Sequence, residues 1–171
     1  MIKPLFGKTP MIGIGVFVAE TAAVIGDVEL GEQSSVWYGT VIRGDDMPIR
    51  IGARTNLQDN TVIHITAGRY GTTIGTDCTI GHNAIIHACT VEDRCLIGMG
   101  AIILDGATIG AGSLVGAGAL VTPGTVIPPG SLVVGSPAKV KRPVNEKERE
   151  QILYGAAHYV ELTRRYLAET R

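Results

Sequence analysis

Ile97-Gly98-Met99-Gly100-Ala101-Ile102-Ile103-Leu104-Asp105-Gly106-Ala107-Thr108-Ile109-Gly110-Ala111-Gly112-Ser113-Leu114-Val115 places an aliphatic residue at every sixth position: Ile97, Ile103, Ile109 and Val115. Toward the C-terminus the series continues through Val121, Ile127 and Val133. Toward the N-terminus it runs from Val91 to Ile86, Ile80 and Ile74, then across an insertion to Ile63, Leu57 and Ile51. A shorter insertion separates these from Ile42, Val36, Leu30, Val24 and Val18. A small or compact residue often stands four places after the aliphatic, as at Ala22, Ser34, Thr55, Cys78, Ala101, Ser113, Ala119 and Ser131. This is the hexapeptide signature of a parallel β-helix, an all-β solenoid.

Each hexad supplies one short strand and a turn, and three hexads close one triangular coil. The aliphatic residue points inward and stacks on its counterparts in neighbouring coils, while Gly, Asn and Asp serve the corners. The aromatic content of 5% agrees, because a thin prism has little room for rings. After Gly135-Ser136-Pro137-Ala138-Lys139-Val140 the period changes. Asn145 and Glu148 have capping-box spacing, and Ile152, Leu153, Ala156, Tyr159, Val160, Leu162, Thr163, Tyr166 and Leu167 recur at helical spacing. The expected organisation is a β-helix over 1–140 and a C-terminal α-helix over 141–171, packed along the prism or on a neighbouring subunit as part of one domain.

A net charge of −1 without a basic run makes nucleic acid and anionic membrane poor partners. The start, Met1-Ile2-Lys3-Pro4-Leu5-Phe6-Gly7, lacks the long apolar core of a secretory leader. The apolar stretch from Ser113 to Gly135 keeps the six-residue period and contains Pro123, Pro128 and Pro129, which argues against a membrane span. Cys78, Cys89 and Cys95 have no paired-ligand spacing and read as reduced, buried thiols of a cytoplasmic protein. Cys89, two residues after His87, is near enough in sequence to approach a metal, but packing is the expected role. His158, on the helix, reads as a surface or packing residue.

The other three histidines lie within the repeat. His64 and His87 each follow an aliphatic directly and are three hexads apart, so they should stack in adjacent coils about 4.8 Å apart at the backbone, close enough to share one metal. Counting back three hexads from Ile63 reaches Ile42, which puts Arg43 in the column of His64. His82 belongs to the preceding face and sits two places after its aliphatic, so it projects from another side of the prism. A homotrimer with three equivalent metal sites follows as the expectation, each using His64 and His87 of one chain and His82 of the next. Asp59 falls in the column of His82, where it could orient the imidazole or serve as a corner-capping Asx turn.

Arg43-Gly44-Asp45, Ile51-Gly52, Thr55-Asn56-Leu57-Gln58-Asp59-Asn60, Ile63-His64, Ile80-Gly81-His82, His87-Ala88-Cys89 and Ile97-Gly98-Met99-Gly100-Ala101 together resemble the γ-class carbonic anhydrases, and the likeness covers nearly the whole chain. The resemblance implies a left-handed β-helix, a homotrimer and an interfacial metal on His64, His82 and His87. It also implies an inter-subunit salt bridge of Arg43 with Asp45, contact of Gln58 with a metal-bound water, and supporting places for Asn56 and Asp59. The implied reaction is reversible hydration of carbon dioxide by metal-bound hydroxide, with Zn2+ as the ion and Fe2+ or Co2+ equally suited to imidazole ligands.

One departure stands out. The best-studied type in this family has an acidic loop after its first histidine ligand, whereas Ile65-Thr66-Ala67-Gly68-Arg69-Tyr70-Gly71-Thr72-Thr73 has no carboxylate. Asp46 is then the candidate for proton transfer, and Tyr159 a candidate to reach the site from the helix. Rival readings are a hexapeptide acyltransferase, a metal-dependent hydrolase of another electrophile such as an acyl-CoA thioester, and a non-catalytic trimeric scaffold.

Overall fold

The structure is a computed structural model that describes residues 1–169; the last two residues of the expected 141–171 segment lie outside it. Successive coils stack in parallel and in register, and each coil contributes to three faces. The third face holds seven parallel strands, Phe17–Val18, Ser35–Val36, Asn56–Leu57, Thr79–Ile80, Leu96–Ile97, Leu114–Val115 and Ser131–Gly135. The first face carries Val62–His64, Ile85–His87, Ile102–Ile103 and Leu120–Val121. The second carries Thr72–Ile74, Thr90–Val91, Thr108–Ile109 and Val126–Ile127. The long strand Val41–Ile51 pairs with both Val62–His64 and Thr72–Ile74, so it turns the corner between these faces and joins them into one sheet.

The hexad aliphatics from Val24 to Val133 are all buried, most of them completely. The compact residues Cys78, Cys95, Ala101, Ser113 and Ala119 are buried with them, and the three cysteines carry no disulfide. The corners need backbone in the left-handed region, and each corner forms a column of such residues. Asn60 (φ 60°), Asn83 (φ 58°), Gly100 (φ 66°) and Gly118 (φ 66°) line the corner before the first face. Ala88 (φ 51°), Gly106 and Gly124 line the corner after it. Asn tolerates this conformation better than most residues, and Ala88 is held there by its neighbours. Corner amides continue the ladder from coil to coil, as in Asn83 N to Asp59 O (2.9 Å) and Gly100 N to His82 O (2.8 Å).

The hexads end in a hairpin: Ser131–Gly135 pairs antiparallel with Ala138–Pro143, a turnback that the six-residue count does not anticipate. The helix Glu146–Glu169 then runs back along the third face. Its start is the expected capping box, with Glu148 N donating to Asn145 Oδ1 (2.9 Å) and Asn145 N to Glu148 Oε2 (2.8 Å). Arg142 grips the same carboxylate with two hydrogen bonds of 2.8 Å each. Ile152, Ala156 and Thr163 are buried on the solenoid. Farther along, Trp37 packs against Tyr159 (5.3 Å between centroids), Tyr166 (5.0 Å) and Phe17 (5.1 Å), seating the helix on the early coils.

Leu153, which the helical spacing includes in the apolar stripe, is 57% exposed. One step of about 100° carries it past the buried line of Ile152 and Ala156. His158 is exposed and stacks on Tyr154 with centroids 5.5 Å apart, in keeping with a surface role. Among the described residues no helix is long and apolar enough to cross a membrane, and the stretch from Ser113 to Gly135 forms solenoid strands.

Two outcomes are expected. Ile97→Ala, at a completely buried inward position, should cost about 2–5 kcal/mol in chemical denaturation. Arg142, together with the Asn145 backbone, holds the Glu148 carboxyl at about 2, below its ordinary 4.5. A depressed folded-state pKa contributes stability above the unfolded value and loses it as pH falls through the folded one. Circular dichroism should therefore report acid weakening between about pH 4.5 and 2, and Glu148→Gln should reduce that pH dependence.

Candidate metal centre

Strand pairing puts His87 directly opposite His64 in the next coil. The rings tilt together, with centroids 5.3 Å apart, and His64 Nδ1 lies 3.3 Å from His87 Nε2. Two nitrogens on one tetrahedral ion, each bonded at about 2.0–2.1 Å, would be separated by about 3.3 Å. The pair thus has the spacing that a shared ion requires.

The outward nitrogen of each ring is engaged by a carboxylate. His64 Nε2 meets Asp45 Oδ2 at 2.8 Å, and His87 Nδ1 meets Asp105 Oδ1 at 2.7 Å. On the other corner His82 Nδ1 meets Asp59 Oδ2 at 2.8 Å, in the column that the repeat count assigns to Asp59. In a neutral imidazole the nitrogen facing a carboxylate carries the proton and the other keeps its lone pair. The three histidines accordingly share one arrangement, a carboxylate against one ring nitrogen and, in the tautomer that this favours, an unprotonated nitrogen on the other side, which is how metal-ligating imidazoles are held.

The surrounding charges sustain this. Partial burial raises the Asp45 carboxyl, but hydrogen bonds from His64 and Arg43 outweigh it and hold it below the usual carboxylate range. Arg43 Nη1 donates to the same Asp45 oxygen that His64 uses. The Asp105 carboxyl is also held low, first by the hydroxyl of Thr66, against the effect of burial, and then by His87. Asp105 is the residue that the repeat count passes over. The ladder pairs Ile86 with Ile103, so one coil after His87 is Leu104, and Asp105, eighteen places after His87, lies one place beyond that column, where counting gives no signal.

The other candidates divide between the two corners. Asp46 is exposed and accepts the amide of Gly68 (2.9 Å), while its neighbour Asp45 reaches the imidazole. Gln58, Asn56 and Asp59 lie on the side of His82. Gln58 Nε2 donates to Asn56 Oδ1 (3.2 Å), and Asn56 Nδ2 to Thr79 Oγ1 (2.9 Å). Tyr159 is partly buried, and burial, with the negative charge of Asp59, raises its phenol pKa. Cys89 is buried among the core residues, and burial pushes its thiol up to about 12, so its role here is packing. Beside the stacked pair is an open depression of about 290 Å3 lined by Val41, Arg43, Val62, Ile63, His64 and His87. Among the described residues no three His, Cys, Asp or Glu side chains converge as a metal-holding group.

The same architecture recurs in known proteins. The family described as bacterial transferase hexapeptide (six repeats) matches residues 88–123, and the hexapeptide repeat of succinyl-transferase matches residues 48–88. A carbonic anhydrase of Geobacillus kaustophilus is 45% identical over 98% of this chain and 92% of its own length. The chain belongs to the γ-carbonic anhydrase-like family of hexapeptide-repeat proteins. The mitochondrial gamma carbonic anhydrase 2 of Arabidopsis thaliana is 43% identical over 96% of the chain. The chain spans only about three fifths of that plant protein, 61%. A solved hexapeptide transferase family protein from Anaplasma phagocytophilum superposes with a TM-score of 0.93 at 42% identity, covering 97% of this chain and 98% of the other. The fold is the left-handed parallel β-helix of this family, with a C-terminal helix.

Nitrogen-detected NMR of the neutral, metal-free protein should place the ring proton of His64 on Nε2 and those of His82 and His87 on Nδ1. The opposite tautomer at His64 or His87 would remove the facing lone pairs.

Proposed function

We propose that this chain is a metal-dependent γ-class carbonic anhydrase that interconverts carbon dioxide and bicarbonate in the cytoplasm. The observation that carries the reading is the 3.3 Å approach of His64 Nδ1 and His87 Nε2, each ring fixed from behind by an aspartate. His82, on the other corner with Asp59 behind it, would supply the third nitrogen from a neighbouring copy. A cyclic homotrimer repeats that contact three times and closes.

Zn2+ is the ion proposed, with Fe2+ or Co2+ as alternatives; bound there, it would supply Lewis acidity that brings the pKa of water toward about 7. The chain's residues do the rest. Asp45, Asp59 and Asp105 hold the three imidazoles in the tautomer that keeps a lone pair forward. Arg43 fixes Asp45 and, with it, the edge shared between copies. Gln58, anchored through Asn56, orients the attacking oxygen by hydrogen bonding. The depression walled by Val41, Val62 and Ile63 suits a small apolar substrate such as carbon dioxide. Tyr159 borders the Asp59 side, and Asp46 is the exposed carboxylate proposed to pass the product proton to solvent.

The test is stopped-flow carbon dioxide hydration on anaerobically purified protein loaded with zinc or iron, with metal content measured in parallel. Turnover should be present in the parent and lost in His64→Ala. Full metal occupancy without turnover would overturn the anhydrase reading.

A further inference from the structure

The segment of residues 65–73 leads from the His64 strand to the second face, and its fastening is unusually specific. Thr66 N donates to Tyr70 O (3.0 Å), Tyr70 N to Thr66 O (3.1 Å) and Arg69 N to Thr66 O (3.0 Å), closing a tight turn. The Arg69 guanidinium lies 4.9 Å from the centroid of the Tyr70 ring, and Asp46 accepts the Gly68 amide. The threonines near its two ends point back at the histidine strands. Thr72 Oγ1 donates to His64 O (2.5 Å) and accepts the amide of Ala88 (3.0 Å), the residue after His87. Thr66 Oγ1 donates to Asp105 Oδ2, and the other oxygen of that carboxylate receives Nδ1–H of His87 at 2.7 Å.

A carboxylate held at one oxygen can still pivot about its side-chain torsions. Held at both, it has one orientation, and the imidazole hydrogen-bonded to it inherits that orientation. Asp105 comes from the next coil and Thr66 from the connection leaving the His64 strand. The Thr66 hydroxyl therefore ties the ring of His87 to the chain segment that carries His64.

We propose that Thr66 is a positioning residue for metal capture: acting through Asp105, it aims His87 Nε2 at the point that His64 Nδ1 also faces. This rests on the reading of the two histidines as metal ligands.

The test measures Zn2+ affinity of the full-length protein by competition with a chromogenic chelator. Thr66→Val removes the hydroxyl at nearly constant volume and should weaken zinc binding by about three- to tenfold, while Thr66→Ser should restore it. Asp105→Asn should weaken it by about 10–100-fold, the usual range for a partner of a ligating histidine. Thermal unfolding of the metal-free forms should show Thr66→Val still cooperatively folded with only a small loss of stability, separating aim from folding. Parental affinity in Thr66→Val or in Asp105→Asn would overturn the relay while leaving the metal site standing. A parent protein that binds none of Zn2+, Fe2+ and Co2+ would overturn the metal reading and this inference with it.

Discussion

Backbone hydrogen bonds from each coil to the next, repeated at a spacing of about 4.8 Å, are the constraint on which the rest of this molecule depends. They fix the register, so a residue's place within its hexad determines which face it joins. They also turn intervals in sequence into distances in space. His64 and His87 are twenty-three residues apart in the chain and directly opposite in the ladder. The looped-out residues between them leave the register intact, because the connection bulges at a corner where no strand pairing is lost.

The ladder also explains why the three histidines have carboxylates behind them. A prism with a packed aliphatic interior offers polar side chains only its corners and outer surface. There, a side chain's natural partners are those one coil above or below. Asp59 lies below His82 and Asp105 above His87 in this sense, each supplied by an adjacent coil. Asp45 reaches His64 from the corner-turning strand Val41–Ile51, where additional residues carry it past Arg43. Hydrogen bonds at corners this open to solvent contribute little net stability. Their value lies in selecting tautomer and ring orientation.

The interior follows directly from composition. Buried Ile, Val and Leu at period six, with small residues between them, account for the prism. The few aromatic rings that pack together do so where the helix meets the outside of the solenoid, around Trp37. The helix adds what the repeat lacks, cover for one face, and its capping box together with Arg142 marks where it begins.

The solenoid, the pairing of His64 with His87, the separate corner of His82 and the column of Asp59 were legible in the sequence, because each depends only on counting within a rigid repeat, and the helix cap was legible from its own local motif. Counting could not decide which side chains turn toward one another where the repeat is interrupted. Asp45 takes the imidazole and Asp46 the loop amide, although they are adjacent, because the bulged strand aims successive side chains to opposite sides. The Thr66 contact with Asp105 crosses thirty-nine residues, and the hairpin after Gly135 reverses the chain where the period stops. The periodic pattern determines where the backbone goes. The orientation of polar groups at its corners depends on which neighbours the folded loops bring within hydrogen-bonding distance, and that was decided only by the tertiary structure.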